Sequence, residues 1–204
     1  MSDPQNIIKG TSASEVLRGT PDSDRITSFG GADTIFGYQG DDQLNGYPSD
    51  IGYIHWDSSD ALKIYGGEGD DFIVGGRDGD QLYGGSGDDS IHGREQDDSL
   101  FGDDGNDYLY GGEGADALDG GKGGDNLYGS GGHDTLKGGE GSDSLFGDDD
   151  NDLLEGGSGD DELWGASGDD QLYGGTGNDY LDGGPGDDYL DGGDGDDELF
   201  GDVS

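Results

Sequence analysis

The sequence predicts an all-β fold, a solenoid of short coils, from its composition and from a nine-residue period. The chain has 204 residues with 49 Gly, no Cys and a formal net charge of −42. Only 27% of the residues are hydrophobic, too few to form an ordinary single core against chain entropy and charge repulsion. A period that runs through nearly all of the chain is the signature of a solenoid. Because carboxylates are in large excess, a bound hard cation is the candidate for what holds the coils together.

Three columns of residues define the period. An aliphatic residue recurs every nine positions from Ile73 to Leu199 without a failed step. An aspartate stands two residues before each of them, starting at Asp71, and a glycine stands seven residues before, starting at Gly66. Neighbouring side chains of a strand point to opposite faces, so the aliphatic eighth residue points inward and the seventh and ninth point outward. Each unit therefore predicts a six-residue turn followed by a three-residue strand, and two units make one coil of 18 residues.

The turns are suited to a hard cation. A glycine-rich turn can take positive φ and aim its backbone carbonyls at a common point, to which the aspartate adds a carboxylate oxygen. Such an all-oxygen cage suits calcium and is poorly suited to zinc or copper. The expected metal ligands are Asp24, Asp33, Asp42, Asp71, Asp80, Asp89, Asp98, Asp107, Asp116, Asp125, Asp134, Asp143, Asp152, Asp161, Asp170, Asp179, Asp188 and Asp197, with backbone carbonyls of turn glycines such as Gly66, Gly69, Gly84, Gly87, Gly102, Gly105, Gly120, Gly123, Gly138, Gly141, Gly156, Gly159, Gly174 and Gly177.

The repeat G-G-x-G-x-D followed by x-hydrophobic-x, as in residues 66–74, resembles the RTX (repeats-in-toxin) nonapeptide, the hemolysin-type calcium-binding repeat of type I secreted bacterial proteins. The resemblance covers nearly the whole chain. It implies a right-handed parallel β-roll of two short parallel sheets, with calcium held between successive turns by backbone carbonyls and the repeat aspartates. It also implies a chain that is disordered without calcium and folds when calcium binds.

The register is looser before residue 66. Asn6 and Glu15 stand in the aspartate column, and the first two units lack the glycine turn. Residues 1–27 are therefore predicted to be degenerate capping repeats, and residues 28–204 the calcium-binding roll. The spacing between Leu44 and Ile64 is 20, so one unit carries an insertion of eleven residues within 46–65. Leu62 replaces the aspartate of that unit, and its turn is expected to bind no ion.

Alternate units fall on opposite edges of the roll. On the first edge, the fourth residue of every unit from Gly69 onward is glycine. On the second edge it is Asp78, Gln96 and Asp150 in three units, with Asp60 in the inserted unit, and these side chains can crowd the turn. We expect weaker or less uniform occupancy there. Pairing aspartates 18 residues apart gives about 13 sites, and 13 calcium ions bring the charge of −42 to about −16.

Two aromatic groups are candidate partner-binding surfaces. Outward ninth positions of one sheet hold Tyr110, Tyr128, Phe146 and Trp164. We favour the interpretation that these rings stack and stabilise a thin roll over the alternative that they form a docking surface for a glycan or a protein. The insertion holds a second group, for which a hairpin that covers the uneven coil is favoured over recognition. The candidate residues of the insertion are Tyr53, His55 and Trp56. His55, His92 and His133 lie far apart in the pattern and are expected at the surface, not as zinc ligands or catalytic bases.

Several functions are excluded or not expected. The charge excludes nucleic acid as a partner, and no apolar run approaches the roughly 20 residues of a membrane span. No catalytic constellation is found, so an enzyme is not expected. The preferred hypothesis is a non-catalytic calcium-binding roll, extracellular or at the cell surface, exported without an N-terminal signal peptide. The alternatives are an adhesin or polysaccharide-binding module that uses the aromatic face and the 46–65 insertion, and a calcium store or buffer. The repeats run to the C-terminal coil, and three explanations stay open. The chain is truncated, its last coil associates with that of a second copy, or the last repeats contain an export signal.

Overall fold

The structure is a computed structural model that describes residues 6–11, 13–28, 32–45 and 61–201. Within these residues it contains β-strands and no helix. The strands are, in chain order, β1 (Asn6–Lys9), β2 (Val16–Arg18), β3 (Asp24–Thr27), β4 (Thr34–Gln39), β5 (Gln43–Asn45), β6 (Lys63–Glu68), β7 (Phe72–Val74), β8 (Gln81–Ser86), β9 (Ser90–Glu95), β10 (Ser99–Asp104), β11 (Tyr108–Glu113), β12 (Ala117–Lys122), β13 (Asn126–Gly131), β14 (Thr135–Glu140), β15 (Ser144–Asp149), β16 (Leu153–Ser158), β17 (Glu162–Ser167), β18 (Gln171–Thr176), β19 (Tyr180–Gly184), β20 (Tyr189–Asp194) and β21 (Glu198–Gly201). None of these residues belongs to a helix able to cross a membrane.

The strands form two parallel sheets. The odd-numbered strands make an 11-stranded sheet and the even-numbered strands a 10-stranded sheet, so the chain alternates between the two. Each strand pairs with the strand two later, for example Leu109 with Leu127, which lies 18 residues further on. Across the insertion the register is kept, because Ile35 pairs with Ile64. The predicted β-solenoid of 18-residue coils is thus confirmed.

The core is one side chain wide. The eighth residue of each unit is inaccessible to solvent along most of the roll, as in Ile73 and Leu127 at 0% exposure, whereas its neighbours in the strand are half-buried or exposed. Leu62 is also buried, at 5%. The inward-pointing eighth position predicted from the period is therefore correct.

The strands are longer than predicted. Most contain six residues instead of three and include the first three residues of the following turn, as in Ala117–Lys122. Pairing in that strand runs from Ala117 to Asp119, skips Gly120 and resumes at Gly121. Because every turn stacks on a similar turn 18 residues away, parallel pairing continues past the corner, and the first turn residue marks the bend.

The first two units continue both sheets. Ile8 of β1 pairs with Ile26 of β3, and Leu17 of β2 pairs with Ile35 of β4. A capping role for residues 1–27 stays a prediction. The predictions for Tyr53, His55, Trp56 and Asp60 lie outside the described residues.

Candidate metal centre

The aspartates of the sixth column line both edges of the roll and are buried. Their exposure is 0–3% from Asp24 to Asp179. From Asp33 onward each Oδ1 atom accepts a hydrogen bond from the backbone N–H of the column residue one coil earlier, as Asp125 does from Asp107 at 2.8 Å and Asp152 from Asp134 at 2.8 Å. The column therefore ties every coil to the coil before it through one carboxylate oxygen.

The second carboxylate oxygen has a different environment. In most of these aspartates Oδ2 is buried and no hydrogen bond of the described residues reaches it. A buried carboxylate oxygen that lacks a donor is costly unless a cation or a proton compensates it. This holds for Asp42, Asp71, Asp89, Asp98, Asp107, Asp116, Asp125, Asp134, Asp143, Asp152, Asp161, Asp170, Asp179 and Asp188.

Each of these oxygens points into a cradle at the first glycine of its turn. At Gly156, the position that a Cβ atom would take lies 2.5 Å from Asp161 Oδ2 and 2.6 Å from the carbonyl oxygen of Gly174 in the next coil. Calcium–oxygen distances are about 2.3–2.6 Å, so the two oxygens converge at a spacing that suits this ion. A side chain at the first position would fill the cradle, which explains why that column is glycine in every unit from Gly66 onward, whereas Ser28 stands there in the turn of Asp33.

The donor chemistry also fits calcium. Among the described residues no three His, Cys, Asp or Glu side chains come together as a metal-binding group. One aspartate per turn and the glycine carbonyls are therefore the oxygens in place, a hard and flexible set typical of calcium and unlike the nitrogen and sulfur ligands of zinc. Calcium bound between coils would be held by the Oδ2 atoms and the first-position carbonyls.

Burial makes the charged column unfavourable by itself. Burial raises the pKa of Asp98 to about 8, and the carboxylates of Asp80 and Asp116 add to the effect, although the hydrogen bond from the Asp80 amide opposes it. Burial likewise raises the pKa of Asp152 to about 8, and that of Asp71 to about 7. A cation in the cradles would remove this penalty, since it favours the charged carboxylate.

Two predicted ligands differ from the rest. Asp24 Oδ2 accepts the amide of Thr20 at 2.5 Å, and Asp80 Oδ2 accepts the amide of Gly76 at 2.5 Å. Asp33 is buried, and its Oδ1 atom accepts the amide of Glu15 at 2.8 Å. At the far end Asp197 is less buried than its counterparts, and its Oδ1 accepts the amide of Asp179 at 3.0 Å.

The fourth turn residue has positive φ, as the glycine pattern predicted. Gly159 has φ of 130°, and its added Cβ would meet the carbonyl oxygen of Gly141. On the second edge Gln96 and Asp150 keep this conformation with φ of 69° and 74°, but Asp78 has no positive φ. Gln96 and Asp150 therefore keep a positive φ, although it is lower than the 130° of Gly159. Weaker occupancy of the second edge stays a prediction.

A second ladder was missed by sequence reasoning. Side chains at the fifth turn position accept amides of the following coil: Asp88 Oδ1 accepts from Asn106 at 2.8 Å, and Asn106 Oδ1 accepts from Gly124 at 2.9 Å. At the same position of the second edge, the amide of Asn151 donates to His133 Nδ1 at 3.1 Å. The repeated Asp and Asn at this position were the signal. The fifth residue thus ties its coil to the next one in most units, but not at residues such as Ala115 and Gly124, which have no side-chain acceptor.

The aromatic residues stack along the roll. Ring centroids of Tyr128 and Phe146 are 4.7 Å apart and those of Phe146 and Trp164 4.5 Å, with planes within 5°. Tyr110 is 37% exposed and contacts His92 with a tilt of 42°. The even-numbered sheet has its own stack, which contains Phe36, Tyr65, Tyr83 and Phe101. A partner-binding role for Tyr110, Tyr128, Phe146 and Trp164 stays a prediction.

Comparison with known proteins identifies the repeat. The family model of the RTX calcium-binding nonapeptide repeat matches residues 9–44, 65–100, 83–118, 92–127, 119–154, 128–163, 146–181 and 173–203. Together these matches cover both sides of the insertion and well over half of the chain. No curated protein matched the chain.

Proposed function

Because the chain belongs to the family of RTX calcium-binding nonapeptide repeats, we propose that it is a non-catalytic, exported roll whose folding is driven by calcium. The family and its calcium ions are established by the match. The observation that carries the proposal is the column of buried Oδ2 atoms without hydrogen-bond partners. An ion between two coils satisfies these atoms only in the folded roll, so its binding free energy is folding free energy.

Different atoms of the repeat have different roles in the proposed function. The Oδ1 atoms set the spacing of adjacent coils through amide hydrogen bonds, as in Asp107 and Asp125 at 2.8 Å. The Oδ2 atoms and glycine carbonyls face the cradles, and the one-residue core excludes water between the sheets. When bound, calcium supplies positive charge and coordination to these oxygens. Without a cation, a chain of charge −42 repels itself and has little apolar surface to bury.

The small number of carboxylates in each turn supports weak sites and hence export to a calcium-rich medium. A site with few carboxylates and mainly carbonyl ligands resembles the extracellular modules that bind calcium at about 10⁻⁴–10⁻³ M. The acidic side chains that are buried in the described part of the chain are the column aspartates. Their engagement with calcium supports a role that is not catalytic.

A calcium titration followed by far-ultraviolet circular dichroism tests the proposal, with magnesium as the control. We expect a cooperative transition from coil to β-structure at high micromolar to millimolar calcium and none with magnesium. Structure that persists in excess chelator at pH 8 would contradict calcium-driven folding. A midpoint below one micromolar would contradict the extracellular setting and favour an intracellular store or buffer.

One observation favours a second candidate, a polysaccharide-binding module. The seventh and ninth positions of the odd-numbered sheet from Phe72 to Trp164 include a single charged residue, Glu162, in a chain of charge −42. Phe72 and Tyr110 there are 42% and 37% exposed. An uncharged aromatic surface of this kind suits a neutral sugar polymer.

Binding of neutral polysaccharides to the calcium-loaded protein tests this second candidate. We expect Tyr110→Ala to weaken binding while the circular dichroism spectrum is kept. Tyr173→Ala, on the other sheet, is the matched control and should bind as the wild type does. No binding by the wild type would dismiss the candidate.

A further inference from the structure

The turns differ in the direction of one peptide group. In two turns of the aspartate column, the amide of the second residue points inward: Thr20 N–H donates to Asp24 Oδ2 and Gly76 N–H donates to Asp80 Oδ2, both at 2.5 Å. Thr11 N–H donates in the same way to Glu15 Oε2 at 2.7 Å. The first-position cradle is kept there: at Gly75 the position of a Cβ atom lies 2.5 Å from Asp80 Oδ2 and 2.7 Å from the carbonyl oxygen of Gly93. In these turns, however, a backbone amide already donates to the carboxylate oxygen that in most other turns has no hydrogen-bond partner.

The backbone conformation of the second residue separates these turns from the others. Thr11, Thr20 and Gly76 have no positive φ. In each fully described turn whose Oδ2 atom lacks a hydrogen-bond partner, the second residue has positive φ, even where it is not glycine. These second residues are Tyr38, Gly67, Gly85, Arg94, Asp103, Gly112, Gly121, Ser130, Gly139, Asp148, Gly157, Ala166, Gly175 and Gly184.

Peptide geometry explains the correspondence. When φ of the second residue changes from negative to positive, the peptide group that joins it to the first residue flips, as it does between type I and type II turns. With positive φ the carbonyl of the first residue can face the cradle of the preceding coil, as that of Gly174 does at Gly156, whereas without it the amide of the second residue faces the Oδ2 atom of its own turn. An inward amide presents its positive end to the position of a cation and is therefore incompatible with binding there.

The sequence supplies a local cause at one of the two turns. Thr20 is β-branched and precedes Pro21, and both features disfavour positive φ. Gly184 also precedes a proline, yet it has φ of 79° because glycine lacks a Cβ atom. In the other turn Asp78 and Gly79 reverse the usual order of the fourth and fifth residues, and neither has positive φ.

We infer that the roll has two classes of turn: open turns that bind calcium, and closed turns at 19–24 and 75–80, whose aspartates hold the turn by hydrogen bonds and bind no ion. The second residue of the turn decides the class. This inference rests on the proposed function, because it assigns calcium to the open turns. Asp24 and Asp80 are thereby structural residues, although they match the ligand column in sequence.

Asp80→Asn and Asp98→Asn form a matched pair for the test. The two aspartates are neighbours on the same edge, and the amide of Asp80 donates to Asp98 Oδ1 at 2.6 Å. Native mass spectrometry at saturating calcium counts the ions bound to each protein. We expect Asp98→Asn to bind one ion fewer than the wild type and Asp80→Asn to bind the same number. Asp78 has a buried Oδ2 atom of its own and is left unchanged in both variants.

The outcomes separate the inference from the function on which it rests. If the wild type binds no calcium, the proposed function fails. If the wild type binds calcium and Asp80→Asn loses an ion as Asp98→Asn does, only the inference is overturned. Circular dichroism at saturating calcium verifies that each variant is folded.

A second pair keeps the test decisive if Asp98→Asn does not fold. Ala166 is the second residue of an open turn and has φ of 73°. Ala166→Thr introduces a β-branched side chain that disfavours this conformation, so we expect it to close the turn and lose one ion. Ala166→Gly permits positive φ and should bind as many ions as the wild type. Equal ion counts for the threonine and glycine variants would overturn the inference.

Discussion

The first two residues of a turn are glycine in many units for different reasons. Gly156 has no positive φ, but a Cβ atom there would lie 2.5 Å from Asp161 Oδ2, so space requires glycine. Gly157 has φ of 113°, so backbone conformation favours glycine. Tyr38, Arg94 and Asp148 show that the second position tolerates a side chain at some conformational cost. The first position has no such freedom in a turn that binds an ion.

This difference predicts that Gly156→Ala removes one calcium ion from the folded roll. The new methyl group would occupy the cradle between Asp161 Oδ2 and the Gly174 carbonyl. The count of bound ions by native mass spectrometry at saturating calcium measures the effect. Ser158→Ala, an exposed position in the same turn, is the control and should keep every ion. An unchanged count in Gly156→Ala would show that the cradle is not the binding position.

The sequence predicted which residues form the column but not the direction of each peptide. Asp80 and Asp98 are equivalent in the nine-residue pattern, and only the structure shows the inward amide of Gly76. That direction depends on φ of the second residue, which Gly76 and Gly85 take differently although both are glycine. At Thr20 the proline that follows was a readable signal. Around Gly76 the sequence gives no comparable signal, apart from the reversed order of Asp78 and Gly79.

At the scale of strands, pairs of aromatic rings continue the stacking of the backbone. Phe146 and Trp164 are in register on β15 and β17, and their rings are parallel within 2°. Because the faces of stacked rings cover each other, the middle of the ladder contributes to the stability of the roll. The period had predicted the ladder, but the tilts near His92 arise from packing that the period does not encode.

A double-mutant cycle measures the stacking of Phe146 on Trp164. We expect Phe146→Ala and Trp164→Ala to show a coupling of about 0.5–1.5 kcal/mol in the free energy of unfolding. Urea unfolding at saturating calcium gives the four values. A cycle of Phe146 with Tyr83, which lies on the other sheet, is the control and should give no coupling. Equal coupling in both cycles would contradict a specific stacking contribution.

The fifth-position ladder predicts a separate contribution that needs no metal. Asn106→Ala removes the acceptor of the Gly124 amide, which lies 2.9 Å from Asn106 Oδ1. We expect a loss of about 0.5–1.5 kcal/mol in the free energy of unfolding, with no change in the number of bound ions. Urea unfolding and ion counting together check it. A lost ion would mean that the fifth residue also serves the metal site.

At the scale of the whole molecule, the roll is a one-dimensional stack whose coils touch only their neighbours. The core contributes one aliphatic side chain per unit, and the acidic columns add repulsion along both edges. Stability in such an array is the sum of intrinsic terms and interfaces between adjacent coils. Under the proposed function each ion between two coils would strengthen an interface, so that many weak sites together would make folding cooperative. Composition alone indicated disorder, and the nine-residue period was needed to predict the roll.

The raised pKa values of the column make folding without calcium depend on pH. Burial raises the pKa of Asp71, Asp107 and Asp161 to about 7, above the ordinary value of 3.8 for an aspartate. The folded roll therefore holds protons more tightly than the unfolded chain. This contribution to stability is fully present below pH 3.8 and is lost as the pH rises through 7. In excess chelator we expect β-structure by circular dichroism to increase as the pH falls from 8 to 4.

Calcium should show the opposite dependence, because protons and calcium compete for the same Oδ2 atoms. In the proposed transition the metal-free chain is unfolded, so its aspartates have the ordinary pKa of 3.8 and protons compete with calcium only near and below that pH. The calcium midpoint for folding should therefore change little between pH 8 and 5 and rise as the pH falls further, by up to about tenfold for each pH unit. Calcium titrations at several pH values between 3 and 8 measure the midpoint, with constant ionic strength as the control because surface charges are screened by salt. A midpoint that already rises as the pH falls from 8 to 6 would show that calcium binds to a folded metal-free roll, in which burial raises the pKa of Asp98 to about 8, and would contradict calcium-driven folding.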